Sequence, residues 1–135
     1  MQGEAPDLLR KLATRLLPVT LVEYLPYSAL AITAGVCEEF IYRGFVMGAL
    51  AKILLPTWLV VLLSSILFGF AHAYQGKAGI VSTGLFGVVL AIGRLLFGNL
   101  VPVMMWHAGL DLVAGVAAPR YLVESATSNE SDEGK

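Results

Sequence analysis

The chain has 135 residues, of which 57% are hydrophobic before its 14 glycines are counted and only 14% are charged, with a net charge of −1. An ordinary soluble domain carries ~25% charged residues, and a small one exposes too much surface to be covered by so few, so a soluble domain, a disordered chain and a collagen-like repeat are excluded. The near-neutral balance gives no footing for nucleic acid, and the single cysteine, Cys37, excludes an internal disulfide and a cysteine-based zinc site.

Residues 1–20 read as an amphipathic helix lying in a membrane interface. Leu8, Leu9, Leu12, Ala13, Leu16 and Leu17 recur at helical spacing, and Asp7, Arg10, Lys11, Thr14 and Arg15 fill the other face. Pro18 is expected to end this helix. It lacks the small-residue cleavage pattern of a signal peptide, so it is expected to stay in the mature protein.

Four apolar runs follow, each near the ~20 residues a helix needs to cross hydrocarbon. They are Tyr27 to Leu55, broken by Glu38, Glu39, Arg43 and Lys52; Trp58 to Tyr74; Ala78 to Gly98, with Arg94 near its end; and Leu100 to Ala118. Pro26, Pro56 and Pro119 sit at run boundaries, where a proline disrupts least. A membrane barrel would alternate residue by residue, and these runs do not. Glu124 to Lys135 is polar and acidic and reads as a disordered tail. The predicted fold class is all-α, a polytopic transmembrane bundle of about four spans plus the interfacial helix. Its divisions are 1–20 for the interfacial helix, 25–118 for the transmembrane domain and 119–135 for the polar acidic tail.

Basic residues set the expected orientation. An even number of spans puts both termini on one side, with Arg10, Lys11, Arg15, Lys77, Arg120 and Lys135; the other side holds Lys52 and Arg94. Both termini are therefore placed in the cytoplasm of a bacterial-type plasma membrane. Arg94 reads as a side chain snorkelling to the interface, with contact to a substrate carboxylate as the minority view. The intra-span glycines Gly44, Gly48, Gly84, Gly87, Gly109 and Gly115 read as close helix contacts. They permit a dimer without requiring one. Cys37, among apolar neighbours, reads as a buried and inert thiol.

Ionisable residues inside a span cost ~2.5–3.5 kcal/mol each on insertion scales, so they need a reason to be there. Glu38, Glu39, Arg43, His72, His107 and Asp111 come from three different runs. Glu39 and Arg43 are i and i+4 on one helix face, which suits an ion pair. Glu38 points about 100° away and lacks a local partner, which suits a base. A purely structural ion cluster explains the segment equally well. Phe68 and His72 share a helix face, as do His107 and Asp111. Taken alone, His72 reads as a hydrogen bond across the bundle or an interfacial His near a helix end, and the His107–Asp111 pair suits an oriented imidazole, a metal-ligand pair or a buried hydrogen bond. Together they supply a Glu, two His and an Asp, the inventory for activating a water and holding an oxyanion.

The three segments also resemble a family's motifs. Residues 38–43, EEFIYR, resemble the EExxxR motif of the CAAX prenyl endopeptidase and bacteriocin-processing family, the Abi-type intramembrane proteases. Residues 68–72, FGFAH, resemble its FxxxH motif, and residues 107–111, HAGLD, its HxxxN or HxxxD motif, about 35 residues further on. The resemblance covers roughly Leu25 to Ala118 and implies a helical bundle with a cavity open to the cytosol. It also implies that Glu38 and His72 position the attacking water, that His107 and Asp111 hold the oxyanion, and that Glu39 and Arg43 support the site. The expected activity is endopeptidase cleavage of membrane-associated, lipidated or unlipidated, peptides or proteins. The expected partners are that substrate and the membrane lipids. No cofactor is favoured. A divalent metal such as zinc is the alternative, held by Glu38, His72, His107 and Asp111, because two His with carboxylates match a zinc shell. The sequence has no HExxH helix, which tilts the choice to glutamate chemistry. The rival classes are a non-catalytic membrane immunity or scaffold protein and a subunit of a proton-coupled transporter.

Overall fold

The computed structural model describes Pro18 and residues 20–133. The interfacial helix predicted at 1–20 lies outside the described residues except for Pro18 and Thr20. All regular structure among the described residues is helical. Helix α1 (Tyr24–Glu39) runs without a break into a π-helical segment (Phe40–Val46) and then α2 (Met47–Lys52). Helix α3 (Thr57–Ala71) follows, then a 3-10 turn (Ala73–Gln75), α4 (Gly76–Phe97) and α5 (Val101–Glu133).

Local chemistry explains most boundaries. Pro56, extended at ψ 144°, precedes the first residue of α3 and needs no donor there. Gly98 closes α4 in the left-handed region at φ 69°, and its N–H bonds the Arg94 carbonyl at 3.1 Å. At the other end of the chain, α5 passes through Pro119 and continues to Glu133, where the sequence predicts a stop and a disordered tail. A proline removes one backbone donor locally, and the residues after it include helix formers such as Arg120, Leu122, Glu124 and Ala126.

The helices pack through small residues. α3 lies along α4, and α1 along α5. A Cβ on Gly69 would sit 2.6 Å from the Ile80 carbonyl oxygen, and one on Gly35 would sit 2.7 Å from the Ala108 nitrogen. Only glycine permits those approaches. Gly48 and Gly109 differ from the expectation, since an added Cβ at either meets nothing within 4 Å. Met47, Val60, Val61 and Ala91 form a core between α2, α3 and α4, with Leu50, Leu55 and Val88 against it.

Large apolar side chains face outward on α1, the π-helical segment, α3, α4 and α5, among them Leu25, Phe40, Phe45, Trp58, Phe70, Leu85, Leu96 and Met105. That is the reverse of a water-facing surface. Residues Ala73–Phe97 form one helical stretch long and apolar enough to cross a membrane, with mean hydropathy 2.1. Thr57–Ala71 and Val101–Ala117 are apolar but shorter. Cys37 corrects its prediction: it is exposed on the outer face of α1 rather than buried.

Candidate active site

Glu38 and Glu39 end α1, at the junction where α-helix becomes π-helix. Such widened turns occur frequently at functional sites. Here the widening still leaves Glu39 and Arg43 in contact: Arg43 Nη1 donates to Glu39 Oε1 at 2.7 Å. Arg43 Nη2 donates to the Gly87 carbonyl of α4 at 2.9 Å. The guanidinium also lies 4.4 Å from the centre of the Phe68 ring, a cation–π contact in a site without water to compete. Glu39 is 0% and Arg43 2% exposed.

His107 of α5 completes this buried cluster. Its Nδ1 lies 2.9 Å from Glu39 Oε1. A carboxylate already receiving the Arg43 donor acts as acceptor, so His107 Nδ1 carries the hydrogen. The ring is thereby oriented with Nε2 pointing away from Glu39. That nitrogen faces Glu38 Oε2 at 3.8 Å and Asp111 Oδ2 at 3.7 Å.

His72 caps the C-terminal end of α3. Its Nδ1 lies 3.0 Å from the Phe68 carbonyl oxygen. A carbonyl only accepts, so Nδ1 donates and the neutral ring presents the Nε2 lone pair. Nε2 faces Glu38 Oε2 at 3.8 Å. Glu38 Oε2 is sealed from solvent and has no hydrogen-bond partner. It sits between two imidazole nitrogens at separations too long for direct hydrogen bonds.

The structure thus brings Glu38, His72, His107 and Asp111 around one point, with Glu39 and Arg43 in the wall behind His107. Asp111 is the most open of them, with its side chain 37% exposed. No group of three or more His, Cys, Asp and Glu side chains among the described residues is disposed as a metal-binding set.

Phe68, the aromatic of the FxxxH motif and 1% exposed, meets His72 and His107 edge-on, with ring centres 4.9 and 5.9 Å away. Several other supporting groups are invisible to motif reading. Phe86 supports His107 from the other side at 5.5 Å. Tyr27 donates to the Asp111 carbonyl at 2.7 Å and ties α1 to α5. Ser64 donates to the Tyr42 carbonyl at 3.0 Å, inside the π segment. The Gly87 carbonyl receives Arg43 only because the glycine lets α4 approach. The glycine pair Gly84 and Gly87 was the only sequence signal of that approach, and it carried no hint of the carbonyl.

A family model described as type II CAAX prenyl endopeptidase Rce1-like matches residues 20–113. No curated protein and no solved structure matches the chain.

Proposed function

Because the chain belongs to the Rce1-like family of type II CAAX prenyl endopeptidases, a membrane-embedded protease family, we propose that it hydrolyses peptide bonds with a water held between Glu38 and His72. The observation that carries this reading is the pairing of Glu38 with the neutral His72 ring, 3.8 Å apart, with 30% of the Glu38 and 15% of the His72 side chain open to solvent. A water on that open side would donate one hydrogen to each residue and turn its oxygen outward. Glu38 takes the proton as that oxygen bonds to the substrate carbonyl carbon. The proton then passes to the departing amine as the C–N bond breaks, which leaves a carboxylic acid and an amine.

The carbonyl oxygen gains charge in this step and needs a donor. His107 supplies one through Nε2 when it carries a second proton, because Nδ1–H is committed to Glu39. Asp111 supplies one when it is protonated, as an Asn would. Glu39 and Arg43 hold the His107 ring in place. Water activation by side chains alone is favoured over a metal because the sequence has no HExxH helix.

The proposed setting is a four-span bundle with both termini in the cytoplasm. The 15 residues of α3 reach only about 22 Å, short of the ~30 Å hydrocarbon core. His72, at its end, would therefore lie below the membrane surface, within reach of a membrane-bound peptide. The proposed substrates are membrane-associated peptides or proteins, prenylated CAAX tails among them. Incubating purified protein with prenylated and unprenylated CAAX-type peptides, with and without chelator, tests the reading. Chelator-resistant cleavage is the expected result. Cleavage abolished by chelator and restored by zinc would replace it with a metallopeptidase mechanism.

A further inference from the structure

Asp111 is the least tethered group of the site. Among the described residues no donor bonds its carboxyl, and its near neighbour is His107 Nε2 at 3.7 Å. A side chain held so loosely points where its backbone carries it. A catalytic group has to stay within ~0.5 Å of its productive position, so the turn of α5 that bears Asp111 has to be fixed from elsewhere.

Two contacts fix that turn, and both come from α1. One turn before Asp111, His107 meets Glu39 at 2.9 Å. At Asp111 itself, Tyr27 Oη donates to the backbone carbonyl at 2.7 Å. In an α-helix that carbonyl already accepts the N–H four residues on, and its second lone pair takes the tyrosine hydroxyl. The ring that delivers the hydroxyl lies where α5 has no side chain: a Cβ on Gly115 would collide with Tyr27 Cε1, Cζ and Oη. Gly115 and Asp111 are i+4 and i on one helix face, so the notch and the accepting carbonyl form a single seat for Tyr27. Between the two contacts Gly35 lets α1 approach Ala108. That approach sets the distance between the helices, and the two hydrogen bonds set how α5 is turned about its own axis.

We propose that Tyr27 is a positioning residue for the hydrolysis: seated in the Gly115 notch, it fixes the turn of α5 that aims Asp111 at the substrate carbonyl oxygen. The inference rests on the peptidase reading and on Asp111 as an oxyanion donor. Tyr27 acts through Asp111 alone, since its hydroxyl is committed to the α5 backbone.

The test is a double-mutant cycle on hydrolysis of a prenylated CAAX-type peptide by the purified full chain in detergent. It is read as kcat and KM per folded protein, below the unfolding temperature of every variant. Tyr27→Phe keeps a ring in the notch and removes only the donor. It should lower kcat about twofold to tenfold, the scale of one hydrogen bond, with KM unchanged, because the oxyanion forms only after binding. In an Asp111→Ala background the same substitution should cost nothing further, since the group it positions is gone. A contact that merely stabilised the fold would lower the folded yield equally in both backgrounds and leave kcat alone. Gly115→Ala, which expels the ring, should cost more than Tyr27→Phe and show the same dependence on Asp111. The inference is overturned, with the oxyanion reading intact, if Asp111→Ala is impaired while Tyr27→Phe turns over as wild type does, or if the two losses multiply. Asp111→Ala at the wild-type rate, or a wild type that cleaves no peptide, removes that reading and the inference with it. Should Gly115→Ala fail to fold, Tyr27→Phe and the cycle decide the matter.

Discussion

Two halves of the polar cluster face each other across His107 and behave differently. The inner half, Glu39 with Arg43 and His107, is closed: its contacts run from 2.7 to 2.9 Å, and both charged residues are buried. The outer half, Glu38 with His72 and Asp111, is open: Glu38 stands 3.8 Å from His72 and from His107, Asp111 stands 3.7 Å from His107, and the two carboxylate side chains are 30% and 37% exposed. Adjacent residues of one segment, Glu38 and Glu39, therefore fall on opposite sides of the division. The inner pair is fixed by short hydrogen bonds and closed to a reactant by burial, although Glu39 Oε2 and Arg43 Nε keep no partner. The outer half is reachable, and the inner half supports it by holding the helices in register.

The division can be broken at several points. His72→Ala removes the lone pair beside Glu38 from the open half. Cleavage should fall about 10²–10⁴-fold, the scale of one lost general acid or base, with folded yield unchanged. Yield is read by size-exclusion chromatography and rate by peptide hydrolysis. Arg43→Ala attacks the closed half instead and strands Glu39 as a buried charge. Unfolding in denaturant should then show a loss of ~3–5 kcal/mol.

Asp111 sharpens the comparison because it belongs to the open half yet touches His107. Asp111→Ala should lower turnover roughly 10²–10³-fold, the scale of one missing oxyanion donor. Asp111→Asn should retain most of it, since an amide donates as a protonated carboxyl does. An inactive Asn variant beside a chelator-sensitive wild type would point to a metal ligand. The smallest effect is expected at Gly87, whose carbonyl anchors Arg43. A Cβ there would sit 3.1 Å from Phe68 Cδ1 and 3.2 Å from Arg43 Nη2. Gly87→Ala should cost about 1–2 kcal/mol of stability through this crowding, measured as a lowered unfolding temperature, without a specific loss of turnover.

Much of the architecture was legible because apolar runs and prolines act locally. The four runs correspond to the four helical stretches, and Pro56 marks the start of α3. The π segment at Phe40–Val46 was not legible: no residue type in it marks a widened turn, and its ties to α3 and α4 run through the Tyr42 and Gly87 carbonyls. Nor was the continuation of α5 past Pro119. At the site, spacing alone paired Glu39 with Arg43 and left Glu38 free. It could not show that Glu39 also receives His107, because residues 39 and 107 lie on different helices. Backbone acceptors were the other blind spot. The carbonyls of Phe68 and Gly87, which orient His72 and Arg43, have no side-chain signature. Cys37 and Gly48 were misread for a related reason: the face a helix turns to its neighbours is set by packing.

The central claim is that Glu38 does chemistry while its neighbour Glu39 holds structure. Glu38→Gln and Glu39→Gln, measured side by side for hydrolysis of a prenylated CAAX-type peptide and for unfolding temperature, test it most directly. Glu38→Gln should be folded as stably as wild type and lose cleavage about 10²–10⁴-fold, whereas Glu39→Gln should unfold at a clearly lower temperature. A Glu38→Gln protein that cleaves at the wild-type rate would contradict the account.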